Sequence, residues 1–83
     1  MPKYIDHHPM PGPMPEEMVA TIAASIKAGE TDEFGVKGVN AFTSDNEMWC
    51  VTEADGPEAI HKAHESKGIT LGAGDVTEVR SFV

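Results

Sequence analysis

The sequence predicts an α+β protein in which one antiparallel sheet carries two helices on a single face. Three observations predict it. Two segments of helical period each open on a proline and stop at a glycine; strand-like runs flank both; and a short polar link joins the two middle runs.

Residues 3–8 form the first strand candidate, followed by Pro9-Met10-Pro11-Gly12-Pro13-Met14-Pro15, a connector whose prolines continue neither a ladder nor a helix interior. Pro15 suits the first helical position, and Glu16 and Glu17 sit where the helix dipole favours acids. That helix is expected to run to about Ala28, with Met18, Val19, Ile22 and Ile26 as its apolar stripe and Gly29 as its stop. Glu30 to Gly38 reads as a loop. Val39 to Thr43 and Met48 to Glu53 then form a hairpin around Ser44-Asp45-Asn46-Glu47. The second helix is expected from Pro57 to about Lys67, closed by Gly68, and a last strand from Val76 to Val83.

Strand, helix, strand, strand, helix, strand is the split β-α-β plan of ferredoxin-like domains, here a single domain over residues 1–83. The plan leaves one sheet face open. In a chain this short that face calls for a partner, and Phe42, Trp49, Phe82 and Val83 are the expected contributors to a homodimer contact.

With 83 residues and 40% hydrophobic content, the chain has enough apolar surface for one modest core. A formal net charge of −8 argues against nucleic acid and anionic membrane surfaces as partners and favours cations. The single cysteine, Cys50, makes no internal disulfide, which fits a reducing cytoplasm. The opening residues show no signal-peptide pattern, and no segment approaches the roughly 20 apolar residues of a membrane span.

The four histidines fall in two clusters, His7-His8 behind Asp6, and His61 and His64 on the second helix. A His-x-x-His spacing puts both rings on neighbouring turns, where they can share a metal ion. Taken alone, the spacing is common by chance and more often marks a hydrogen-bonded His64 and a solvated His61. Strand alternation separates His7 from His8 unless the strand ends there, an end that Pro9 favours. Glu53, at a strand end before the second helix, is placed to reach His61 or its neighbours, whereas Cys50 by itself reads as a small buried apolar residue. Imidazoles with carboxylates suit zinc, nickel, cobalt or copper, and composition does not choose among them. The recurrence of Met10, Met14 and Met18 reads as packing, and Glu30, Asp32 and Glu33 lack a calcium-loop pattern. No phosphate-cradling loop or nucleophile elbow is present.

Four stretches carry a family resemblance: Met1-Pro2-Lys3-Tyr4-Ile5-Asp6-His7-His8, Trp49-Cys50-Val51-Thr52-Glu53-Ala54, Glu58-Ala59-Ile60-His61-Lys62-Ala63-His64 and Gly74-Asp75-Val76-Thr77-Glu78-Val79. In this order they resemble a family of small ferredoxin-like proteins, long known as a domain of unknown function, that includes a bacterial nickel-binding protein. The resemblance covers nearly the whole chain. It implies a ferredoxin-like dimer that binds nickel or a similar divalent ion, with Asp6, His8, Cys50, Glu53 and His61 at recurring family positions. The proline-rich loop after the first strand and the glycine-containing loop before the second depart from the family pattern.

The expected function is therefore divalent metal binding, for buffering or sensing, by a cytoplasmic homodimer. His8, His61 and His64 are the expected nitrogen ligands, Asp6 or Glu53 the oxygen ligands or orienters, and His7 and Cys50 further candidates. The rival expectation is a small cofactor-free enzyme in which His8 or His64 acts as general acid or base in a pocket between sheet and helices.

Overall fold

The computed structural model describes residues 1–82. Its elements follow the expected order: β1 (Lys3–Pro9), α1 (Glu16–Ala28), β2 (Lys37–Thr43), β3 (Glu47–Glu53), α2 (Pro57–Glu65) and β4 (Val76–Val79), the last preceded by a 3-10 turn at Ala73–Asp75. The strands form one sheet in the order β2-β3-β1-β4, and all neighbours run antiparallel.

Local chemistry sets both helix boundaries. Pro15 precedes α1 with φ −58°, and Gly29 ends it in the left-handed conformation with φ 68°, its N–H donating to the Ile26 carbonyl. Pro57 opens α2 after an extended Gly56. α2 stops at Glu65 rather than near Lys67, because the chain turns through Gly68 at φ 81° and the Ile69 N–H donates to the His64 carbonyl at 2.9 Å.

β1 alternates cleanly, with Tyr4, Asp6 and His8 buried beneath the helices and Ile5 exposed on the opposite face. Its partner β3 buries Met48 and Thr52 on the helix side. β2 pairs with β3 through a register shift between Gly38 and Asn40. Gly38 lies so close to α1 that a Cβ there would stand 3.0 Å from Ile26 Cγ1, so this close approach of strand and helix depends on glycine.

The core is Tyr4, Ala54, Ile60 and Leu71, with Val36, Ala59, Ile69 and Val76 packed around it. It sits under α2, whereas α1 contributes no fully buried residue. Replacing the fully buried Ile60 by alanine is therefore expected to cost about 2–5 kcal/mol, read as a lowered urea midpoint, while Val19→Ala on half-exposed α1 should cost far less.

β4 ends at Val79 rather than running to Val83. Val79 pairs with Lys3, the first residue of β1, and the preceding Pro2 has no N–H to extend the ladder. Phe82 is exposed, and Val83 lies outside the described residues.

Candidate metal centre

Three elements converge above the middle of the sheet. β1 continues through Pro9, which pairs with Glu47, so the strand does not end at the histidine pair as the proline suggested. Alternation therefore sends His8 inward and His7 to the other face. Asp6 faces Cys50 across the ladder, and partners directly opposite project to the same side, which places the thiol beside the carboxylate. α2 lies above them. Its buried residues are Ile60 and Ala63, and His64, four residues after Ile60, shares that inward stripe.

The outcome is a group of Asp6, His8, Cys50 and His64 whose ligand atoms lie within 4.8 Å of one another. Bonds of about 2.0–2.3 Å to one central ion need only small side-chain adjustments from that spacing. His64 Nδ1 donates to the Ile60 carbonyl at 2.9 Å, and His8 Nδ1 faces the Pro9 carbonyl at 3.2 Å. Both rings are thus anchored through one nitrogen, which leaves Nε2 as the atom available for a ligand. The rings meet edge to face, with centroids 5.4 Å apart.

Asp6 is the least ordinary member. Its side chain is fully buried, and neither carboxylate oxygen accepts a hydrogen bond. His64 Nε2 lies 3.2 Å from Asp6 Oδ1, an ion-pair contact without hydrogen-bond alignment. A buried carboxylate whose oxygens accept no aligned hydrogen bond, and of which Oδ1 meets only the His64 imidazole, is disfavoured unless a positive charge lies beside it, so its place among two imidazoles and a thiol fits a bound cation. Burial, reinforced by the Asp6 charge and polar contact with it, pushes the Cys50 thiol up to about 12, with Lys67 opposing. For His64, burial lowers the pKa, but the Asp6 contact, the Ile60 carbonyl and the Asp6 charge outweigh it and leave the net shift upward.

The other candidate residues lie elsewhere. His61 is on α2 but outside the converged group, and Glu53 pairs with Lys3 and Lys37 on the side of Trp49 and Val51, away from α2. His7 stacks on Trp49 at a centroid distance of 5.0 Å and binds Glu47 on the same open face. Cys50, which alone reads as an apolar filler, becomes a candidate ligand through its register with Asp6.

Fold and centre together define a small α+β protein with a partly buried cluster of carboxylate, imidazole and thiol groups that could hold a metal ion. The chain belongs to the family described as nickel responsive protein SCO4226-like, whose family model matches residues 4–79. No curated protein and no solved structure matches the chain. No helix among the described residues is long and apolar enough to cross a membrane.

Proposed function

We propose that the chain binds a divalent transition metal, nickel in the first instance, through Asp6, His8, Cys50 and His64, and serves to buffer or sense it in the cytoplasm. The observation that carries this reading is the fully buried Asp6 carboxylate with no hydrogen-bond partner among three other ligand-type side chains. The family description supplies nickel as the metal. The residues would hold the ion while the Ile60 and Pro9 carbonyls fix the two imidazoles.

Calorimetric titration of metal-stripped protein with nickel tests the reading. Stoichiometric binding is expected in the wild type and in His61→Ala, and at least about 100-fold weaker binding in His64→Ala. Equal losses in both variants would point to adventitious surface binding and overturn the assignment.

We further propose that the protein is a homodimer through the open sheet face. Phe42 is 55% exposed there, beside Ile5, Trp49 and Val51. Phe42→Glu should convert a dimer to a monomer in sedimentation velocity; a wild type that sediments as a monomer at high concentration would remove the proposal.

A further inference from the structure

Among the described residues, the buried side-chain oxygens that make no hydrogen bond belong to Asp6 and Thr52. Thr52 is 8% exposed, and its Oγ1 is shut off from solvent. A buried hydroxyl in that condition costs free energy that a methyl group of the same shape would not. Valine would suit a strand equally well, so a threonine at this place calls for a partner.

The sheet register puts the two residues together. Thr52 is the ladder partner of Tyr4, and Cys50 is the ladder partner of Asp6, so all four share the helix side. Asp6 and Thr52 are then diagonal neighbours on adjacent strands, about 7–8 Å apart, a span that short side chains close directly or across one water. Other positions around Thr52 give its hydroxyl little to bond. Gly38, its partner on β2, has no side chain and lies against Ile26, while Ala54 and Tyr4 belong to the apolar core. Cys50, two residues back on β3, carries a thiol, which is a weak acceptor. The Asp6 carboxylate is the strong acceptor on this part of the face.

We propose that Thr52 is a positioning residue for the metal centre, its hydroxyl donating to an Asp6 oxygen when a cation is held; the inference rests on the metal-binding reading above. A carboxylate that gives one oxygen to a cation keeps the other for a donor, and such a donor fixes the orientation of the ligating group. Two costs of the buried sheet face are thereby removed by one hydrogen bond.

Two substitutions separate this role from packing, read by nickel calorimetry and by melts of metal-free protein. Thr52→Val keeps the branched shape and removes the hydroxyl, so it should weaken nickel binding about 10-fold while the metal-free protein melts at or above the wild-type temperature. Thr52→Ser keeps the hydroxyl and loses a methyl, so it should bind nickel nearly as wild type does while melting lower. With Asp6→Ala in place, Thr52→Val should cost no further affinity, because the hydroxyl has lost its acceptor. Should Asp6→Ala not fold, the comparison of the two Thr52 variants decides by itself. Wild-type protein that takes up no nickel would overturn the metal reading and this inference together. Wild-type binding with unchanged affinity in Thr52→Val, with equal losses in both Thr52 variants, or with the same loss on top of Asp6→Ala, would overturn the role of Thr52 alone.

Discussion

Asp6→Asn is expected to weaken nickel binding by about 100-fold or more and, at the same time, to make the metal-free protein more stable. The two effects share a cause. The wild-type carboxylate is fully buried and accepts no hydrogen bond, so without a cation it costs the metal-free fold about 1–3 kcal/mol relative to a group that needs no such partner. Asparagine keeps the shape and removes the charge, so it takes away the attraction for the ion and the charged part of the cost, leaving the smaller cost of a neutral buried amide. In a chain of this size each kcal/mol moves the melting temperature by about 4–8 °C, so thermal melts at pH 8 in the presence of a chelator resolve the change. Loss of nickel affinity with a lower metal-free melting temperature would mean that His64 already satisfies Asp6, and the cavity would no longer call for a cation.

pH should act on the metal-free and nickel-loaded forms in opposite directions. His64 has its folded pKa raised above 6.5, so its proton stabilises the metal-free fold fully below pH 6.5, and that contribution is lost as pH climbs through the raised value. A metal ion competes for the same nitrogen, and it also requires Cys50 to give up a proton that the site holds up to about 12. Between pH 6 and 8 the metal-free protein should therefore lose stability relative to a His64→Gln variant, while nickel affinity rises. Titrations in buffers of different ionisation enthalpy should report proton release on binding, smaller in Cys50→Ser. PH-independent nickel affinity would exclude His64 and Cys50 as ligands.

Much of the fold can be read from punctuation. Pro15 and Gly29 bracket α1, Pro57 and Gly68 bracket the turn region of α2, and the polar Ser44-Asp45-Asn46-Glu47 link announces the hairpin. These are local steric rules, legible without knowing what lies nearby. The errors occur where a partner strand decides. Pro9 looks like a stop, yet it stays in β1 because it pairs with Glu47, and β4 ends early because β1 begins at Lys3.

The site follows the same division. Helical spacing brings out His61 and His64 together, and only the depth of the Ile60 stripe under α2 separates them. That stripe is present in the sequence as Ile60 and His64, four apart. Cys50 offers no comparable local signal, and in the sequence it is a candidate through the family resemblance alone. The geometric reason is a cross-strand register linking residue 50 to residue 6, a non-local pairing that no window of sequence contains. His7 and His8 differ for the simplest reason, the two-residue period of a strand.

The converged side chains also bear on how the chain stays folded over time. Asp6 and His8 belong to a central strand, Cys50 to its neighbour and His64 to a helix that follows both. An ion shared among them would tie together segments far apart in sequence, closing long loops as a covalent crosslink does, in a chain whose lone cysteine forms no internal disulfide. Losing β1, β3 or α2 would then mean losing all three, so the metal-loaded protein would open as one unit where the metal-free protein can fray piecemeal. Nickel supply would thereby set the lifetime of the folded chain, and a cell short of the metal would hold the protein in its more perishable form.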